Sequence, residues 1–112
     1  MKLVTAIVKP HKLDEVKEAL AAFGVKGLTI TDAGGYGRQK GKTEVYRGTE
    51  YTIDIVPKKR IEVLCDAWDA EDVANVIVSA ARSGRIGDGK VWISNVDRII
   101  RIRTGEIDDE AI

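Results

Sequence analysis

The chain alternates between two hydrophobic periods. β-branched and other apolar residues dominate Met1 to Lys9 until Pro10 interrupts them, which predicts a strand. From His11 the spacing lengthens: Leu13, Val16, Leu20 and Phe23 recur at helical intervals, and Gly24 supplies a stop. β-type residues return from Val25 to Ala33, and Gly34-Gly35-Tyr36-Gly37 breaks the pattern. The stretch from Gly37 to about Thr52 is polar, with no sustained apolar period. Ile53 to Cys65 predicts another strand, with Pro57 near one end. Asp69, with Asp72 three positions on, suits a helix start. Val73, Val76, Ile77, Ala80 and Ala81 then form one apolar face, and Gly84 ends the helix. Val91 to Val96 predicts a strand and Ile99 to Arg103 a shorter one, followed by the acidic tail Glu106 to Ile112.

The order strand, helix, strand, strand, helix, strand predicts an α+β fold, a ferredoxin-like βαββαβ sandwich with a long loop between its second and third strands. A sheet covered on one face normally shows polar residues on the other. Here the first strand is apolar on both parities: Leu3 and Ile7 on one, Val4, Ala6 and Val8 on the other. Val91-Trp92-Ile93 behaves alike. Leaving that second face wet would forgo several kcal/mol at about 25 cal/mol per Å2 of apolar area. The expectation is that another subunit covers it; the alternative is cover by the chain's own loops.

With 112 residues the chain is expected to form a single domain over 1–112. Its 18 Lys and Arg balance 18 Asp and Glu, so a sequence-wide attraction to nucleic acid or anionic membrane is not indicated. Any anion site must come from local clustering. The single cysteine, Cys65, lies in an apolar run, which excludes a disulfide framework within one chain and fits a reducing cytosol. No signal-peptide core is present, and no apolar run approaches the ~20 residues of a membrane span. The expected location is cytoplasmic.

Three segments carry candidate chemistry. In Gly84-Arg85-Ile86-Gly87-Asp88-Gly89-Lys90, closely spaced glycines let backbone N–H groups turn toward one anion, and Lys90 adds positive charge. The spacing matches part of a P-loop, but Val91 replaces the required Ser/Thr and a strand follows instead of a helix. A plain helix-to-strand connection reads equally well from the pattern alone. Arg101 and Arg103, two apart on an expected strand, would present parallel guanidiniums suited to polyphosphate, with Ile100 and Ile102 facing apolar surroundings; a solvated edge strand is the alternative. The polar segment holding Arg38-Gln39-Lys40-Gly41-Lys42 and Tyr46 to Tyr51 is long enough to be functional or disordered, with mixed charges and two tyrosines suited to different partners; a floppy hairpin tip is the alternative. Its Gly41-Lys42-Thr43 does not complete a P-loop, because Tyr36 stands where the first glycine belongs. His11 reads as a surface residue. Neither a Cys/His metal cluster nor a catalytic set emerges.

These segments, in this order, resemble the PII family of nitrogen signal-transduction proteins over essentially the whole chain. Tyr46-Arg47-Gly48-Thr49-Glu50-Tyr51 is similar to the family's modification motif, departing at Thr49, where a smaller residue is usual. Ser83 to Val96 is similar to the second signature without departure. Gly35 to Gly41 and Arg101 to Glu106 also look like family hallmarks.

The resemblance implies a homotrimer with ATP or ADP bound in clefts between subunits. Gly87, Asp88, Gly89 and Lys90 would hold the phosphates, with Arg38, Arg101 and Arg103 reaching them from the neighbouring chain. Thr29, Glu62 and Leu64 match positions around adenine, and Gly37 and Gln39 close the site. 2-Oxoglutarate would bind beside MgATP, with Lys58 on its distal carboxylate and Lys9, Gln39, Lys40 and Gly41 lining its pocket. Mg2+ would be held by phosphate oxygens, the Gln39 carbonyl and the keto acid, oxygen donors being what this cation requires. ADP lacks the γ-phosphate, so 2-oxoglutarate is expected to discriminate between the two nucleotide states. Tyr51 would be the covalent switch, carrying a uridylyl or adenylyl group.

The resemblance further divides the chain into a flexible loop of about 37–55, a phosphate loop of about 82–90 and a C-terminal segment of about 102–112. The implied partners are an ammonium transporter, a nucleotidyltransferase, and transcriptional or enzymatic regulators of nitrogen assimilation. Direct nucleic-acid binding is not expected. Reversible membrane association would come through the transporter. An ATPase or nucleotidyltransferase would need a base and a carboxylate metal pair that the sequence does not offer. Metal-tolerance relatives of the same architecture would not be expected to match both signatures.

Overall fold

Among the described residues, six strands and two α-helices follow one another: β1 (Lys2–Val8), α1 (Leu13–Phe23), β2 (Thr29–Gly35), β3 (Thr43–Tyr46), β4 (Thr49–Thr52), β5 (Val56–Cys65), α2 (Ala70–Ala81) and β6 (Lys90–Asn95). The computed structural model describes residues 1–36 and 55–112 throughout and, between them, the backbone of β3 and β4. β1, β2, β5 and β6 form one antiparallel sheet in the order β2-β5-β1-β6. This is the α+β, ferredoxin-like arrangement the alternation of periods predicts.

Register decides which residues share a face. Across the sheet, Ala6 stands opposite Ile61 and Val91, and Val4 opposite Val63 and Ile93. Val4, Ala6, Val8, Ile61 and Val63 join Val16 and Leu20 of α1 and Val73 and Ile77 of α2 in one buried cluster. Each fully buried Leu, Ile or Val contributes about 1.5–3 kcal/mol relative to an exposed position. The opposite, outer face carries Leu3, Thr5 and Ile7, flanked by Leu64, Glu62 and Arg60 of β5 and by Ser94, Trp92 and Lys90 of β6. Thr5 is buried there, whereas Leu64 and Trp92 are each more than two-fifths exposed. The described part of the chain therefore does not cover this face itself.

Local chemistry explains the helix ends. Pro10 opens a single 3-10 turn closed by Lys12 N–H on the Lys9 carbonyl, and α1 follows with Asp14 and Glu15 in its first turn, where acidic groups suit the helix dipole. Gly24 ends α1 at φ +113°, its N–H on Ala21 O and Leu20 O while Val25 N–H reaches Leu20 O, a Schellman closure.

Five expectations need correction. Asp69 does not cap α2 through its side chain: its backbone is already helical, and Asp66 instead accepts Trp68 N–H at 3.1 Å in the preceding turn. The second helix stops at Ala81, with Arg82 extended, rather than at Gly84. β2 starts at Thr29, not Val25: Val25 and Leu28 pack against the core from the connection after Gly24 without joining the sheet. It also continues through Gly34 and Gly35, which pair with Pro57 and Val56. The polar segment contains a hairpin, with Thr43 to Tyr46 paired to Thr52 to Thr49. Finally, Ile99–Arg103 is not a strand. Ile100 makes one bridge to Ile107, and the chain turns at 101–105, where Gly105 N–H bonds Arg101 O at 2.8 Å. Thr104-Gly105 supplies that turn, Gly105 sitting at φ +73°. Ile102 is wholly exposed rather than set in apolar surroundings.

Candidate ligand-binding site

Three elements meet at one end of the sheet. β1 delivers Lys9 just past Val8, β5 delivers Lys58 beside it, and the loop from Ser83 to Gly89 crosses both. Gly89 fits because it is glycine: at φ +97° a Cβ would lie 1.7 Å from the Ile7 carbonyl oxygen. Gly87 also has positive φ, +91°. Lys58 is buried, and its Nζ donates to Gly87 O at 2.6 Å. Burial first, then the charge of Lys9, lowers the Lys58 pKa, while Asp88 opposes the shift.

Asp88 organises this loop. One carboxylate oxygen accepts N–H bonds from Ser83 and Gly84, both at 2.9 Å. The other takes the Ser83 hydroxyl and lies 3.3 Å from Lys9 Nζ. The Ser83 bonds lead in holding the Asp88 carboxyl far below the usual carboxylate range; desolvation opposes them, and Gly84 and Lys9 add smaller contributions. Asp88 was expected to stand among the phosphate-holding residues. Its side chain instead faces the protein, so its acidic group shapes the loop and only its backbone is left to face an anion. Ser83 lies in the second signature, and the Ser-x4-Asp spacing is the sequence signal for this pairing.

The adenine candidates lie on the outer face. Thr29 and Glu62 are register partners, and Leu64 follows two positions along β5. Glu62 pairs with Arg60 at 3.5 Å, and the Arg60 guanidinium lies 5.9 Å from the Trp92 ring centroid. Arg101 and Arg103 do not stand parallel. Arg101 donates to Glu106 Oε1 at 3.0 Å and to Ile112 O at 3.2 Å, and Arg103 is exposed. Glu106 was missed as the partner of Arg101 because a strand was expected. Gly37, Arg38, Gln39, Lys40 and Gly41 lie outside the described residues, as does the side chain of Tyr51.

A cleft of about 170 Å3 lies between β1 and the loop, lined in part by Ile7, Val78, Ala81 and Gly89. A larger groove of about 740 Å3 between α1 and α2 is lined by Ala22, Phe23, Val76 and Ala80 among others. No cation lines that larger groove, and the loop chemistry is elsewhere; size alone does not mark the site. Among the described residues no group of three His, Cys, Asp or Glu is placed to hold a metal ion. No described helix is long and apolar enough to cross a membrane.

Sheet, helices and cation-flanked glycine loop thus define an α+β sandwich with a glycine loop held between two lysines. The family model described as Nitrogen regulatory protein P-II matches residues 1–106. Over 112 residues and the full length of both chains, the protein is 56% identical to Nitrogen regulatory protein P-II of Rhizobium meliloti. On the same basis it is 54% identical to the protein of that name from Synechocystis sp. and 48% identical to Nitrogen regulatory protein GlnK of Escherichia coli K12. The chain belongs to the nitrogen regulatory protein P-II family, whose members transduce signals in nitrogen regulation and act on partner proteins rather than as enzymes.

Proposed function

We propose that the protein senses energy and nitrogen status by binding ATP or ADP and, with MgATP, 2-oxoglutarate, and that it works as a homotrimer. The observation that carries this reading is the convergence of Lys9 and Lys58 on the Gly87–Asp88 loop. Dianionic and polyanionic ligands need such a set of fixed donors. The cleft of about 170 Å3 is smaller than the roughly 300–1,000 Å3 of a typical ligand pocket. A nucleotide site shared between copies, with Thr29, Glu62 and Leu64 toward the base, accounts for that shortfall. So does the incompletely covered outer sheet face, which a second copy would bury.

In this reading Gly87, Gly89, Lys90 and the backbone of Asp88 hold phosphates, and Arg38, Arg101 and Arg103 approach from the neighbouring chain. Arg101 must exchange Glu106 and the Ile112 carbonyl for phosphate oxygens. Lys58 pairs with the distal carboxylate of the keto acid, with Lys9, Lys40 and Gly41 around it. A magnesium ion would be held by Gln39 together with oxygens of the bound ligands, Asp88 being committed to its loop; when bound, it would neutralise part of the ligands' negative charge. The segment 37–55 then differs in preferred shape between ligand states, and partners read that shape. Those partners are an ammonium transporter, a nucleotidyltransferase, and regulators or enzymes of nitrogen assimilation. Uridylylation or adenylylation at Tyr51 would add bulk and negative charge there. The expected location is the cytoplasm, with reversible recruitment to the membrane by the transporter.

Calorimetric titration of 2-oxoglutarate into the protein with MgATP, and separately with ADP, tests the reading. Binding is expected only with MgATP; equal affinity in both would refute it.

A further inference from the structure

We propose that Asp88 is a positioning residue for keto-acid binding, fixing the direction of the Lys9 ammonium; this rests on the 2-oxoglutarate reading above. The carboxylate is itself immobilised, because two backbone N–H groups, of Ser83 and Gly84, hold one of its oxygens at 2.9 Å. Its other oxygen lies 3.3 Å from Lys9 Nζ, and Ser83 Oγ accepts from the same nitrogen at 3.4 Å. An ammonium has three donors. Two are committed to the loop, and the third is left for an incoming carboxylate. The Lys9 side chain is only 12% exposed, so few other directions are open to it. Lys58 is held on the same loop through Gly87 O at 2.6 Å. Loop and lysines are therefore one unit: whatever grips the glycine loop also sets the cation that meets the dicarboxylate.

The sign of one substitution separates orientation from simple charge. Asp88→Asn keeps an oxygen for the two backbone amides but turns an N–H2 toward Lys9. If Asp88 only screened positive charge, its neutralisation would tighten binding of an anion. If it orients Lys9, binding weakens. Titrating 2-oxoglutarate into MgATP-loaded protein, Asp88→Asn is expected to weaken keto-acid affinity about three- to five-fold, the scale of a partly exposed ion pair. MgATP affinity is measured first for each variant, and the nucleotide is then kept saturating, so the keto-acid titration reads the second ligand alone. Lys9→Met should weaken keto-acid binding too, and adding Asp88→Asn to it should cost nothing more. Ser83→Ala, a milder change, should weaken it about two-fold. Unchanged or tighter 2-oxoglutarate binding in Asp88→Asn, or additive losses in the double variant, would overturn the proposal. Wild-type protein that fails to bind 2-oxoglutarate with MgATP would instead overturn the functional reading beneath it.

Discussion

Gly89 leaves no space for a side chain, since the nearest obstacle is the Ile7 carbonyl, and backbone in a paired strand cannot swing aside. Gly89→Ala should therefore cost more than the ~1–2 kcal/mol of a left-handed residue alone. Gly84→Ala, at φ +82° with open space around it, should cost only that strain. Urea unfolding of both variants checks the difference. Asp88 ties stability to pH. Its folded pKa is depressed, so its contribution is complete above the usual carboxylate value of 3.8 and is lost as pH falls below that. The wild-type urea midpoint should fall between pH 5 and about pH 2 more steeply than that of Asp88→Asn. At this scale the sequence spoke to residue types and not to directions. A carboxylate inside a glycine loop read as part of the anion site, and only the fold shows that Ser83 and Gly84 claim it.

Elements with a strong period were legible. Val16 and Leu20 in α1, and Val73, Ile77 and Ala81 in α2, are among the residues the helical spacing selects and are buried, whereas Phe23, selected with them, is two-fifths exposed. Short segments were not. The hairpin strands Thr43-Glu44-Val45-Tyr46 and Thr49-Glu50-Tyr51-Thr52 are only four residues each and keep no strict alternation, so the sequence offers a hairpin there only as an alternative. Arg101-Ile102-Arg103 alternates like a strand, but Thr104-Gly105 turns the chain before a partner strand can form. This contrast gives a paired expectation. Ile77→Ala, at a fully buried position, should lower stability by about 2–5 kcal/mol. Ile102→Ala, at a wholly exposed one, should change it by less than about 0.5 kcal/mol in an isolated chain. Chemical denaturation of both variants at dilute protein measures this. A larger loss at Ile102 that grows with protein concentration would place that residue under a second copy.

For the whole molecule, the decisive surface is the outer face of the sheet, where Leu3, Ile7, Leu64 and Trp92 stand among charged neighbours without complete cover. The two-sided apolar pattern of β1 made this legible from sequence; the identity of what covers it was not, because a single chain records one side of any interface. Sedimentation of the wild type is expected to give a trimer, and Trp92→Glu, which puts a carboxylate on this face and removes the ring under Arg60, is expected to give monomer. A monomeric wild type would refute that expectation.

The chain's two tryptophans occupy unlike places: Trp68 stands 90% exposed in the turn before α2, and Trp92 lies on the sheet face beside Arg60. Intrinsic fluorescence therefore mixes a lamp in bulk water with one on the buried-or-bare face. With Trp68 replaced by Phe, the remaining emission would report, without any attached dye, only what comes and goes over that face.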